Sequence, residues 1–177
     1  MAEGYRIIFW GILFITFHIN LGPIPILPNF VGYIIVLRGI DHLQREFPSI
    51  NFKRAHDTSM LLTILSVIGF LLIWAPQQSI IMSYSSLLFS VLEVLLVYYI
   101  LEGSIEKLLA LDSKTLADDY RREQRIYTVL MTIYVIGMCI TITIAESSSI
   151  AVAILFIGIC LRIWLMMILG RLKRIWQ

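Results

Sequence analysis

Of the 14 lysines and arginines in the chain, all but Arg162 fall at one end of an apolar run or in alternate connections between such runs. Arg6 opens the series. Arg38, Arg45, Lys53 and Arg54 follow, then Lys107, Lys114, Arg121, Arg122 and Arg125, then Arg171, Lys173 and Arg174. The intervening connections, around residues 20–29, 75–79 and 145–149, contain none. Basic residues collect on the cytoplasmic side of multi-pass membrane proteins, so the pattern predicts an integral membrane protein with both termini in the cytoplasm. Composition agrees. With 59% hydrophobic residues and a mean hydropathy of +0.86, a soluble fold of this length would have nowhere to place its apolar surface.

A spanning helix needs roughly 20 mostly apolar residues. Residues 59–74, 80–101, 126–145 and 150–170 meet that need, the first only just. The runs 5–21 and 24–38 are weaker, and Pro25 and Pro28 interrupt the second. No small-residue cleavage pattern follows residues 7–17, so the first run reads as an uncleaved helix rather than a signal peptide. The expected fold is all-α: one transmembrane domain over residues 1–177, with six helices paired as three hairpins. Five helices plus a re-entrant segment is the alternative, since prolines near residues 25–28 free backbone groups that lipid cannot satisfy. The location expected is an inner membrane of bacterial type.

The largest soluble portion is the helical connector 102–125. Its charges are of both signs, and Leu108, Leu109, Leu111 and Leu116 group roughly on one face. Thr115 followed by Asp118 resembles a capping box, which predicts two helical extensions bent near Asp112 and Ser113. The leucines either dock a partner or pack back on their own hairpin; the second is the plainer expectation.

Three polar features are candidate sites. Ser79, Ser83, Ser86, Ser90 and Glu93 recur at spacings of three and four, so they share one face of the fourth span. They form either a polar path or a stripe of small residues that lets two helices approach. Glu93 and Arg162 each lie about 12 Å inside the cytoplasmic end of their spans. A lone charge there costs about 2.5–3.5 kcal/mol on insertion scales, which makes an intramembrane ion pair the attractive arrangement. Snorkelling of Arg162 and protonation of Glu93 are the alternatives. The outer turn of the first hairpin offers His18, Asn20 and Asn29, with Asn29 placed to cap the second helix and His18 the one histidine near the outer face.

The same hairpin carries Ile19-Asn20-x-Gly22, Leu27-Pro28-x-Phe30-x-Gly32-Tyr33 and then Gly39. This run resembles a signature of small, mostly uncharacterised multi-pass bacterial membrane proteins, many of which carry Asp where this chain has Asn29. The resemblance covers the first hairpin only. It implies a membrane protein with a structured hairpin, and no mechanism.

Absences narrow the function. The chain has no GxSxG, no HExxH and no Gly-rich phosphate loop. Cys139 and Cys160 lie inside apolar runs without ligand spacing. No catalytic residue, metal site or cofactor is expected, and a net charge of +2 does not suggest nucleic acid. The lipid bilayer is one partner, and a protein partner or a second copy is expected. Two readings remain: a non-enzymatic binding protein, acting as an accessory or regulatory subunit or as a self-assembling membrane component, and a small transporter or its substrate-binding subunit.

Overall fold

The computed structural model describes residues 1–16, 20–21, 24–25, 28–72, 79–144 and 148–176, with side chains over 1–16, 28–71, 86–141, 152–154 and 156–176. Six helices account for nearly all of it: α1 (Ala2–Thr16), α2 (Asn29–Glu46), α3 (Ile50–Leu72), α4 (Ser79–Ala110), α5 (Lys114–Ile144) and α6 (Ser148–Ile175). Between α1 and α2 lies an antiparallel pair of two-residue strands, β1 (Asn20–Leu21) and β2 (Ile24–Pro25), with Asn20 opposite Pro25. Among the described residues, three stretches are long and apolar enough to cross a membrane: Ser86–Ala110, Lys114–Thr141 and Val152–Ile175. By contrast α1, with 15 residues, covers about 22 Å, less than the ~30 Å hydrocarbon core.

Local sequence sets the helix ends. Pro28 is extended (φ −61°, ψ 141°) and precedes α2, and its carbonyl accepts from the Val31 amide at 3.0 Å. Asn29 is therefore the exposed first residue of the helix and not its cap, which corrects the expectation above. Pro28 takes the cap position because its fixed φ suits the entry to a helix and it has no amide to satisfy. At the other end Phe47 precedes Pro48, which disfavours helical backbone at Phe47; it is extended and α2 stops. Ser49 Oγ then accepts the Asn51 amide at 3.1 Å to start α3.

The connector bends where expected. Asp112 takes a left-handed φ of 56°, the Ser113 amide reaches back to the Leu108 carbonyl at 3.1 Å, and the Asp112 amide to Leu109 at 3.0 Å. These two bonds form a Schellman closure. Because α5 begins at Lys114, Ser113 holds the cap position and Thr115 falls inside the first turn. The Thr115–Asp118 capping box is thus displaced by the tighter turn. Of the four connector leucines, Leu108 alone is buried, while Leu109, Leu111 and Leu116 are exposed, so most of the group does not pack on its own hairpin.

The helices form a closed ring. Each packs on the next in sequence, and α6 returns to α1. The α1–α2 contact is the tightest, because glycines seven residues apart on both helices face each other. A Cβ on Gly11 would lie 2.9 Å from the Gly32 carbonyl oxygen, and one on Gly39 would lie 2.9 Å from that of Gly4. Only bare backbone allows such an approach. On the next interfaces Gly103 receives the ring of fully buried Phe52, and Gly158 receives Tyr134.

We call the end holding both Met1 and Trp176 basal. There the bundle is sealed and cross-linked. Tyr5 Oη donates to Ser104 Oγ at 2.7 Å across the ring, and Ser104 Oγ donates to the Ile100 carbonyl at 2.6 Å. Glu106 accepts from Ser49 Oγ and, at 2.7 Å, from Asn51 Nδ2. Lys107 Nζ sits 4.6 Å above the Phe47 ring, Gln124 Nε2 bonds Glu102 at 2.9 Å, and Arg171 pairs with Glu123 at 2.8 Å. Packing thins toward the opposite, distal end. Among the described residues, α3 has no buried position beyond Ser66, nor α4 before Leu96, nor α5 beyond Met131, and α6 has only Gly158 before Leu161.

Candidate functional site: a polar centre inside the helix ring

The boundary between sealed and thinly packed halves coincides with the charged residues. Glu93 on α4 and Ser104 are eleven residues apart, so the centre lies about 16 Å from the basal Tyr5–Ser104 lock. Arg162 on α6 donates through Nη2 to Glu93 Oε2 at 2.7 Å. Tyr33 on α2 donates its hydroxyl to the other carboxylate oxygen, Oε1, at 2.6 Å. Each oxygen of Glu93 therefore has a donor of its own. Tyr33 is itself fixed: its ring stacks on Phe89 (centroids 6.4 Å, planes 14° apart) and its carbonyl accepts from Ser59 Oγ on α3 at 3.4 Å.

The second guanidinium nitrogen, Nη1, donates to the Ile15 carbonyl at 3.3 Å. Ile15 is in the last turn of α1, where a cation complements the negative end of the helix dipole. In the same turn Thr16 Oγ1 takes the Ile12 carbonyl at 2.8 Å. A positive charge supplied by α6 thus stands beside the last turn of α1.

Arg162 has neighbours on α1, α2, α4 and α5: Ile15, Tyr33, Glu93, Tyr127 and Tyr134. Yet its side chain keeps 30% of its accessible surface, and that of Glu93 keeps 16%. An arginine has five N–H donors, and two bonds are made here to described residues, one from each terminal nitrogen. Aromatic side chains border the centre: half-buried Phe89 and Tyr134, and Tyr127 set edge-on to Trp164 at 6.1 Å.

The other predicted residues fall elsewhere. Ser90 Oγ turns back to the Ser86 carbonyl at 2.9 Å and meets Met138 Sδ of α5 at 3.8 Å. That serine serves the α4–α5 contact and not the ring centre. Ser86 is half-buried, and the Ser79 and Ser83 side chains lie outside the described residues, as does His18. Asn20 belongs to β1 and Asn29 is exposed at the start of α2; neither joins the polar centre. Tyr33 is the member that sequence reading missed. It stood in the hairpin signature beside Gly32, and its signal was a tyrosine next to a close-packing glycine. No protein-family model, no curated protein and no solved structure matches the chain.

Proposed function

We propose that this chain is a six-helix integral membrane protein, with both termini in the cytoplasm, that acts by binding and not by catalysis. Its binding element is the polar centre, reached from the extracytoplasmic side. That is the working part of a small transporter, or of the substrate-binding subunit of one. A single observation carries this reading: an arginine enclosed by the helix ring yet 30% accessible, above a sealed basal end. Structural ion pairs in apolar surroundings are costly unless every donor is satisfied. An accessible guanidinium with N–H groups to spare invites water or a solute instead. The basic residues of the basal connections support the orientation. The glycines and Tyr33 of the hairpin signature supply its close approach and its bond to Glu93.

The test is accessibility. Phe89→Cys, in a Cys139→Ser/Cys160→Ala background, reacts with a membrane-impermeant thiol reagent added to right-side-out vesicles. It does not react when the reagent is added to inside-out vesicles. Reaction from the cytoplasmic side, or from neither side, defeats the reading.

A second reading rests on a different observation. Leu109, Leu111 and Leu116 are exposed at the basal tip between α4 and α5, where a cytoplasmic protein would find an apolar contact. This favours an accessory or regulatory subunit. The two readings are compatible if the protein binds a solute on one side and a partner subunit on the other.

A further inference from the structure

We infer that the outer face of α5 seats an anionic phospholipid, its headgroup on Arg122 and Arg125 and its acyl chains along the apolar stripe that follows them. This rests on the membrane reading above and is independent of the polar centre. Arg122, Arg125, Val129, Ile133 and Ile136 recur at spacings of three and four, so they share one face of the helix. All five are exposed, on the side turned away from buried Tyr120, Tyr127 and Met131. Among the described residues neither arginine makes an ion pair. The other helices lack this continuity. On α1 Arg6 pairs with Glu3 at 3.1 Å, and on α4 Lys107 lies over the Phe47 ring. On α6 Glu123 holds Arg171, the arginine nearest its apolar face, at 2.8 Å. On α3 exposed Asp57 stands between exposed Arg54 and the exposed apolar pair Met60 and Leu61. On α2 Ile34 is the single exposed large apolar residue among those described.

Depth selects the ligand. Exposed apolar surface on the membrane-crossing part of α5 begins at Ile126. Arg122 stands about 6 Å basal to it, and Asp118 about 12 Å. The headgroup layer is about 5–8 Å thick on each side of the hydrocarbon core. Both arginines therefore fall within that layer, while Asp118, exposed on the same face, lies beyond it. A partner that meets two guanidinium groups and an aliphatic stripe together is an amphiphile with an anionic head. Arginine takes phosphate oxygens through paired N–H bonds, whereas a zwitterionic head brings a cation of its own to the same place. Each basic residue near an anionic headgroup surface is worth about fivefold in affinity. The pair thus favours an anionic over a zwitterionic phospholipid by about thirtyfold.

The test uses the full chain with Ile133→Cys in a Cys139→Ser/Cys160→Ala background, labelled with bimane. It is reconstituted in phosphatidylcholine vesicles that contain phosphatidylglycerol as a minor component, with one lipid or the other brominated in its acyl chains. Quenching of the bimane reports which lipid lies against the stripe. Phosphatidylglycerol should be preferred about thirtyfold. Arg122→Gln and Arg125→Gln should each lower that preference about fivefold, and together remove it, while brominated phosphatidylcholine still quenches and shows the double variant inserted. Arg174→Gln on α6 should leave the preference unchanged, and excess glycerol phosphate in the buffer should not compete. Equal preference for the two lipids, a preference that survives the double substitution, or an equal loss on Arg174→Gln overturns the site. Competition by glycerol phosphate also overturns it, because the arginines then hold a soluble anion. In all these cases quenching by either lipid leaves the membrane reading standing. No quenching by either lipid overturns both.

Discussion

Alanine at Gly11 should weaken the protein, although the same change elsewhere in a helix strengthens it. The added Cβ would stand 2.6 Å from Val36 Cγ2, 2.8 Å from the Val36 amide nitrogen and 2.9 Å from the Gly32 carbonyl oxygen. Two of these three are backbone atoms of α2, so a rotamer change cannot relieve them. The helices must separate by roughly 0.5 Å or more to reach van der Waals distance. Overpacking of this kind costs about 1–3 kcal/mol. Against it stands the better helix propensity of alanine, about 1 kcal/mol. The net expectation is a loss of up to about 2 kcal/mol. Gly69 provides the control, since nothing lies within 4 Å of a Cβ there; Gly69→Ala should gain up to about 1 kcal/mol. Unfolding of both variants by SDS titration, followed by tryptophan fluorescence, reads the difference. If Gly11→Ala and Gly69→Ala shift the midpoint in the same direction, α1 and α2 do not meet backbone to backbone, and the glycine explanation fails.

Further expectations follow from the centre and the basal tip. Tyr33→Phe removes one donor from Glu93 and should cost about 1.5–3 kcal/mol, the worth of a hydrogen bond to a charged group; a silent variant would place Tyr33 outside the network. Glu93→Gln should destabilise the protein, and the exchange Glu93→Arg with Arg162→Glu should recover part of the loss in the same unfolding assay; no recovery would argue against a direct pair. Asp112→Gly should raise stability by about 0.5–1 kcal/mol by relieving the left-handed φ of 56°; a lower midpoint would show that the Asp side chain contributes more than the strain. Replacing exposed Leu109, Leu111 and Leu116 together by serine should leave the melting temperature within about 2 °C while lowering co-purification of any protein that docks on this tip. A large loss of stability would return these leucines to the protein's own core.

The features legible in the sequence were those set by local pattern. Apolar runs mark the helices, although α2 continues past the expected end at Arg38 to Glu46, and Asp112 and Ser113 mark the bend. Opposite charges at matched depth pointed to Glu93 and Arg162, because a charge in an apolar span needs a partner and few were on offer. What escaped notice depends on contacts across the ring. The glycines at 4 and 11, and at 32 and 39, repeat at seven residues and were readable as a close-packing stripe, but which helix they met is a matter of tertiary packing. Closure of α6 onto α1 leaves no local trace, so the bond from Arg162 to the Ile15 carbonyl was invisible. Ser90 misled because equal spacing describes a face without saying which neighbour that face meets; its hydroxyl is used by its own helix and α5. The leucines at 109, 111 and 116 were expected to pack because they group roughly on one face, yet they are exposed.

The account stands or falls on whether the polar centre holds a solute. Native mass spectrometry of the protein, extracted gently in its own lipids, addresses this directly. The predicted result is a bound small molecule at a stoichiometry of one per chain, lost on Arg162→Gln. A chain that carries no small molecule but retains a protein partner in fixed ratio, unaffected by Arg162→Gln, would contradict it and make the pair a structural strut.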